Sequence, residues 1–365
     1  MKRRNFLTGA AAGGALAAAS SFPAPAVARG VRALKMVTAW PKNFPGLGTA
    51  AERLAKRFAE ATDGQITLRV FGAGELVPAF GAFDAVARGT IDMYHAADYY
   101  WQGKSQAYNF FSTVPFGMTG LEHAAWIYYG GGQKLWDELS SGFGVKPFLA
   151  GNTGVQMGGW YKRPINTLED FRGLKVRMPG LGGEVLRRIG AAVQVLPGGE
   201  IFPALQQGSI DGTEWIGPWN DLAFGFYKIA KYYYYPGFHE PGTALAAGIN
   251  LAVWNSFSKT QQAVISAIIE AEHSQVFAEF TAQNARALTV LRKKHNIIPR
   301  RFSDDILRAL GKQSAKVVAE VAAKDAMAKR VYDSYRAFRG EVAAWGRISE
   351  LAYGEARELL SGGNG

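Results

Sequence analysis

A short unit that occurs twice constrains the fold of this chain more than any other feature. Gly74-Glu75-Leu76-Val77-Pro78-Ala79-Phe80 leads, after a helical stretch, to Gly89-Thr90-Ile91-Asp92; Gly199-Glu200-Ile201-Phe202-Pro203-Ala204-Leu205 leads to Gly208-Ser209-Ile210-Asp211. In each copy the proline suits the first turn of a helix, the glycine ends that helix, and Ile-Asp opens the next strand. The repeat predicts two lobes on one strand-helix-strand plan. At 365 residues the chain is also above the size at which a single core tends to divide.

Hydrophobic patterning fills in the plan. Strands are expected over 34–40, 65–71, 91–96, 174–178, 193–196 and 210–215, with helices between them. Leu54, Ala55 and Phe58 recur at helical spacing within 50–61, and Thr62-Asp63-Gly64 stops that helix. The run Tyr232-Tyr233-Tyr234-Tyr235 reads as an alternating strand whose rings are mainly structural. A long strand is expected over 243–254. Ser258 then caps a helix with Gln261 as its reciprocal partner. Running to His295, that helix would reach nearly ~60 Å at the usual rise, enough to brace both lobes. Alternating strands and helices define an α/β fold.

The chain opens Met1-Lys2-Arg3-Arg4-Asn5-Phe6-Leu7, continues through an apolar run to Ala19 and reaches Ala26-Val27-Ala28. A basic start, a short apolar stretch and a small-x-small cleavage site form a signal peptide over 1–28, leaving Arg29 as the first mature residue. The paired arginines fit a twin-arginine signal; an ordinary secretory leader is the alternative, and both export the protein to the periplasm. No later stretch stays apolar and uncharged for the ~20 residues that a membrane helix takes. With no cysteine, the chain has no disulfide, thiol nucleophile or zinc-thiolate site. The net charge of +11 comes from Lys and Arg spread along the chain without a nucleic-acid motif, which favours attraction of small anions.

Enzyme signatures are missing: no Gly-x-Ser-x-Gly elbow, His-Glu-x-x-His helix, P-loop or dinucleotide fingerprint occurs. Gly130-Gly131-Gly132 lacks phosphate-loop spacing and marks a helix end. His95 and His239 could meet in space, although a lone histidine is more simply structural. The stretch 151–254 is different, concentrating aromatic, amide and single charged groups among glycines. Arg177 ends a strand, where it either grips a carboxylate through two parallel hydrogen bonds or sits on the surface beside Lys175. Glu214, next to Trp215, needs a positive partner if buried: a lysine, or a metal ion that also takes the Gln156 amide oxygen and the Trp215 carbonyl. Tyr99, Tyr100 and Trp101 follow a first-lobe strand and either close over a ligand or pack in the core.

The blocks Gly151-Asn152-Thr153-Gly154-Val155-Gln156-Met157-Gly158-Gly159-Trp160, Gly173-Leu174-Lys175-Val176-Arg177, Gly212-Thr213-Glu214-Trp215 and the tyrosine run through Pro236, Gly237 and Glu240 resemble the solute-binding proteins of tripartite ATP-independent periplasmic (TRAP) transporters. The likeness covers essentially the whole mature chain, and the longer blocks are similar to the branch that binds α-keto acids with sodium. It implies a two-lobed periplasmic solute-binding fold with a hinge, a long lobe-spanning helix and C-terminal helices. Lobe I would be 29–153 plus about 243–295, lobe II 154–242 plus about 296–345, and the C-terminal helix or tail about 346–365.

The resemblance further implies that Arg177 clamps a small organic acid, most simply a 2-oxo acid such as pyruvate. Glu214, Gln156 and Trp215 would hold a sodium ion completed by the acid. Glu240 matches a position near the ligand, although its neighbours His239 and Pro241 depart from the pattern, and two acids near one cation keep calcium an alternative. The partners would be the TRAP membrane subunits, and a homodimer through C-terminal helices over 303–330 and 331–360 is expected. The protein is then a binding protein and not an enzyme. Two rivals are a periplasmic hydrolase or lyase using Glu214 and Glu240 as an acid-base pair, and a sensory module presenting its ligand to a receptor.

Overall fold

The computed structural model describes residues 30–360; the leader expected over 1–28 lies outside them. Eleven strands follow one another: β1 (Arg32–Thr38), β2 (Ile66–Phe71), β3 (Met93–Ala96), β4 (Val145–Asn152), β5 (Gly159–Tyr161), β6 (Lys175–Arg177), β7 (Ala192–Gln194), β8 (Gly212–Thr213), β9 (Tyr232–Tyr235), β10 (Ala244–Asn250) and β11 (Arg300–Arg301). They form two sheets. One has the order β2-β1-β3-β10-β4 and the other β11-β9-β5-β8-β6-β7. Within the first, β1 is parallel to β2 and β3, while β10 runs antiparallel to β3 and β4. Small residues let β10 sit between β3 and β4, buried along its whole length. Two sheets flanked by helices make the two-lobed α/β arrangement that the repeated unit predicts.

The chain passes between the sheets through two segments that run side by side. The amide of Thr153 donates to the Thr243 carbonyl at 3.1 Å, and that of Gln156 to the Glu240 carbonyl at 3.1 Å. Gly237 donates to the Gln156 carbonyl at 2.8 Å, so close that a Cβ on Gly237 would lie 2.5 Å from that oxygen. Only glycine allows this approach. The two crossings are therefore one hydrogen-bonded unit.

The helix Lys259–His295 links both lobes, as its length predicts. Its start carries the expected reciprocal cap: Ser258 Oγ accepts from the Gln261 amide at 3.2 Å and Gln261 Oε1 from the Ser258 amide at 2.9 Å. On the first-lobe side, Arg53 of the helix Gly48–Ala61 pairs with the buried Glu272 and with Glu279. On the other side, Asn284 Oδ1 accepts from the amide of Trp219 at 3.0 Å. No helix among the described residues is long and apolar enough to cross a membrane.

Four expectations are corrected. The strand expected over 243–254 ends at Asn250, whose side chain caps the short helix Leu251–Asn255 by accepting from the amides of Ala252 and Val253. Local side-chain capping overrides the β-branched and aromatic residues Val253 and Trp254. Pro78 precedes its helical turn as expected, but Pro203 lies in the second turn of Gly198–Gln207, because that helix starts five residues earlier. The tyrosine strand β9 does not alternate: Tyr233 and Tyr234 are both buried, since both faces are covered there. Tyr233 stacks on Trp160 at 3.9 Å and Tyr234 on Phe302 at 4.7 Å. Finally, the stretch 296–345 does not stay with the second sheet. The helix Asp304–Ala322 packs on Gly180–Arg188, but Ala326–Gly346 returns to the first lobe. There Tyr335 Oη accepts from the Met118 amide at 2.8 Å and Ser334 Oγ from Trp126 Nε1 at 3.1 Å.

The first copy of the repeated unit and the start of the second, with the residues just before it, line one hollow. Leu76, Val77, Pro78 and Phe80 line one side of a hollow of about 720 Å³, and Val195, Leu196, Pro197 and Glu200 line the other.

Candidate functional site

The site begins with a strand register. β6 and β8 are parallel neighbours, with Val176 opposite Gly212 and Arg177 opposite Thr213. Glu214, one residue past β8, therefore lies beside the end of β6, and its amide donates to the Arg177 carbonyl at 3.3 Å. Ligands of α/β proteins collect at such carboxyl ends of strands. Arg177 and Glu214 are both essentially without solvent contact, and their side chains form an ion pair through Nη1 and Oε1. The surface-arginine reading of Arg177 fails for that reason. The lysine expected as one alternative partner of Glu214 is instead this arginine.

The rest of the guanidinium is held as follows. Nε donates to the Leu196 carbonyl at 3.1 Å, Nη1 also reaches the Glu214 carbonyl at 3.2 Å, and the Trp215 ring lies 5.1 Å below. Nη2 is buried and has no hydrogen-bond partner among the described residues. Burial opposes the charge, but Glu214 outweighs it with the other acids and phenols nearby, and Arg177 stays firmly protonated.

Three further groups come from the crossing segments. Gln156 Nε2 donates to Thr153 Oγ1 at 3.1 Å and Thr243 Oγ1 at 3.0 Å, leaving Oε1 buried and without a partner among the described residues. Thr243 Oγ1 also donates to the Glu240 carboxylate, so Gln156 and Glu240 are joined through one hydroxyl. Burial, reinforced by the charge of Glu214, pushes the Glu240 carboxyl above the usual carboxylate range. His239 Nε2 stands 3.3 Å from Glu214 Oε2, and its Nδ1 is buried without a partner among the described residues. His95 does not join it: its Nδ1 accepts from Trp40 Nε1 at 3.1 Å within the first lobe.

The first lobe supplies Tyr99 and Tyr100 from the turn Asp98–Trp101 that follows β3. Their rings meet edge to face at 4.8 Å. Burial and the charges of Glu240 and Glu214 push the Tyr99 hydroxyl far above its usual range, and burial raises that of Tyr100 beside Arg177. Both phenols are therefore neutral donors facing the charged cluster. The two tyrosines, Gln156 and Trp215 line one small space of about 20 Å³, with Trp40, Leu47 and Leu245 as apolar walls.

The seven residues singled out from sequence are thus brought to one place. Sequence reasoning missed Thr243, His239 as a neighbour of Glu214, and the apolar wall. Thr243 carries no sequence signal, whereas the parallel strands ending in Arg177 and Thr213 could have announced the Arg177–Glu214 contact. One atom of each of Glu214, His239 and Glu240 lies within 4.8 Å of the others, and the Gln156 amide oxygen is unpartnered. A hard cation with oxygen ligands fits this set. Gln156 Oε1 lacks a positive partner and Arg177 Nη2 lacks an acceptor, so the site can serve a cation and an anion together.

The chain matches the family of bacterial extracellular solute-binding proteins, family 7, over residues 36–325, and it belongs to that family. It is 42% identical over 359 residues to a monocarboxylate 2-oxoacid-binding periplasmic protein of Nostoc sp., covering 97% of this chain and 98% of that one. Among solved structures it is similar to a TRAP periplasmic solute-binding protein of Pseudoalteromonas atlantica with bound sodium and pyruvate. That match has 38% identity, a TM-score of 0.86, and covers 89% of this chain and 99% of the other. It is also similar to a TRAP solute-binding protein of Bordetella bronchiseptica, a mixed-occupancy dimer with calcium and picolinate. Here the identity is 34%, the TM-score 0.89, and the coverage 91% and 98%. The family is a ligand-binding component of transporters.

Proposed function

We propose that this protein captures a small organic acid, a 2-oxo acid such as pyruvate, together with a cation in the periplasm and delivers both to TRAP membrane subunits. The observation that carries the reading is the pair of buried polar atoms of opposite preference, Arg177 Nη2 and Gln156 Oε1, without a partner among the described residues; Gln156 lines the small cleft space together with Trp215, on whose ring Arg177 lies. Leaving such groups unpaired costs on the order of 1–3 kcal/mol each, so a ligand that satisfies both recovers that cost on binding. Arg177 takes the carboxylate; Glu214, Gln156 and the Trp215 carbonyl, with Glu240 close by, hold sodium or calcium. The cation supplies charge to offset Glu214 and a second anchor for the acid. Tyr99 and Tyr100 exclude water from the first-lobe side.

Because the donors come from both lobes and from the crossings between them, binding favours the closed arrangement. Lobe I takes 30–153 and about 243–295, lobe II 154–242 and the helix Asp304–Ala322. A homodimer through the C-terminal helices is favoured by Trp345, Ile348, Leu351, Tyr353, Leu359 and Leu360, all exposed on Ala326–Gly346 and the chain that continues it. Sedimentation of the purified protein at micromolar concentration checks this; a monomer removes it.

Calorimetric titration with pyruvate, propionate and larger 2-oxo acids, in sodium, calcium or tetramethylammonium buffer, tests the function. Pyruvate should bind more tightly than propionate, which lacks the 2-oxo oxygen, and far more tightly with a metal ion than without one. Equal binding of both acids in all three buffers sinks the reading. Conversion of the acid would instead support a hydrolase or lyase.

A further inference from the structure

The Arg177 guanidinium can be counted bond by bond. Its Nε proton is spent on the Leu196 carbonyl, one Nη1 proton points to the Glu214 carbonyl, and the other to the Glu214 carboxylate. The Nη2 protons have no partner among the described residues. A carboxylate held in a fork needs two parallel N–H groups. With Nε occupied, the fork available is Nη1 with Nη2, and Nη1 is committed to Glu214. An acid can touch Nη2 by one bond without disturbing anything, but it cannot close the fork unless Glu214 Oε1 lets go.

Release of Glu214 is costly on its own. Its other oxygen faces His239 at 3.3 Å, the second carboxylate, Glu240, lies within the same cluster, and both glutamates are buried. A bare carboxylate there would be an unpaired buried charge. A cation alone fares no better, since it must share Glu214 Oε1 with a guanidinium of the same sign. We infer that the Arg177–Glu214 ion pair is exchanged when acid and cation enter together: Arg177 passes from Glu214 to the incoming carboxylate, and the cation takes Arg177's place on Glu214. Arg177 and Glu214 then each have an opposite partner before and after, whereas either ion by itself leaves one of the two stranded. This rests on the cleft being the organic-acid site, and it adds the reason why that site accepts two ions or none.

The exchange makes a prediction of sign. Without a metal ion, Glu214 competes with the acid for Arg177, so removing its charge should help binding. In tetramethylammonium buffer, Glu214→Gln should bind pyruvate about tenfold more tightly than the wild type, the size of one charge-assisted hydrogen bond relieved. In sodium or calcium buffer the order should reverse. Equal or weaker binding by the variant in tetramethylammonium overturns the exchange. Wild-type protein that binds no 2-oxo acid in sodium or calcium buffer overturns the organic-acid reading itself, and the exchange with it. Equilibrium dialysis of the wild type against radioactive calcium needs no variant: calcium should be retained with pyruvate and not without it. Stoichiometric retention without pyruvate would overturn the exchange even if Glu214→Gln fails to fold.

Discussion

Each lobe buries an aspartate, and the cleft between them buries two glutamates, yet the two kinds of site are built on opposite terms. In the first lobe, Asp98 accepts from Tyr94 Oη at 2.9 Å, Trp101 Nε1 at 3.1 Å and Trp136 Nε1 at 2.8 Å. In the second, Asp221 accepts from Tyr233 Oη at 2.7 Å, Trp160 Nε1 at 2.9 Å and the Ile216 amide at 3.3 Å. These aspartates take their hydrogen bonds from aromatic side chains that the core already holds and, for Asp221, one backbone amide. The cleft has the same burial but leaves Arg177 Nη2, Gln156 Oε1 and Trp215 Nε1 unpartnered among the described residues. Burial alone therefore does not mark a binding site. Nor does a single unpaired buried atom, since His95 Nε2 in the first lobe is another; what distinguishes the cleft is that a donor and an acceptor are both left open beside a buried ion pair.

The largest effect that could break this contrast is in the cleft. Arg177→Ala should weaken pyruvate binding by several kcal/mol, roughly a hundredfold or more, with Arg177→Lys restoring only part because an ammonium lacks the fork. Calorimetry showing unchanged affinity in the alanine variant would make Arg177 another structural anchor. Asp98→Ala is the mirror experiment. It strands three buried donors and should cost about 3 kcal/mol in urea unfolding, while the folded variant binds pyruvate as the wild type does. A large loss of affinity at normal stability would place the first-lobe anchor in the binding machinery.

The anchors can also be told apart by acid. Burial raises the Asp98 carboxyl from 3.8 to about 6 and that of Asp221 from 3.8 to about 7, against the smaller pull of their donors. The folded protein thus holds these protons more tightly than the unfolded chain. Their contribution is fully present below the unfolded value and is lost as pH rises through about 6 and about 7. Melting between pH 4 and 8 should show a decline on the order of 2 kcal/mol from each. Asp221→Asn should flatten the part nearest pH 7; an unchanged slope would show that Asp221 is not its source. The smallest effect is at a single donor: Trp136→Phe keeps the ring against Phe111, 5.3 Å away, and removes one bond to Asp98. A loss of about 1 kcal/mol with unaltered pyruvate affinity is expected.

What was legible in the sequence was mainly local. The helix from Ser258 was readable because its cap needs only two side chains three residues apart. The same locality misled over 243–254, where Asn250 turns the backbone into a helix that strand propensity does not foresee. Pro203 was misplaced because the helix boundary is set by packing upstream of the repeated motif. Resemblance gathered the seven site residues. It did not convey that Arg177 and Glu214 hold each other, or that the helix Ala326–Gly346 crosses back to the first lobe.

The sequence by itself determined the α/β character, the repeated strand-helix-strand unit, the long bracing helix and the types of residue available for a charged cleft. Each of these depends on composition or on neighbours within a few turns. Only the tertiary structure decided which groups are paired and which are left open. Arg177 meets Glu214 through the parallel register of two strands, and Gln156 meets Glu240 through two crossings 87 residues apart at Gln156 and Thr243. Such pairings are fixed by the packing of whole sheets, and no short window of sequence contains both partners.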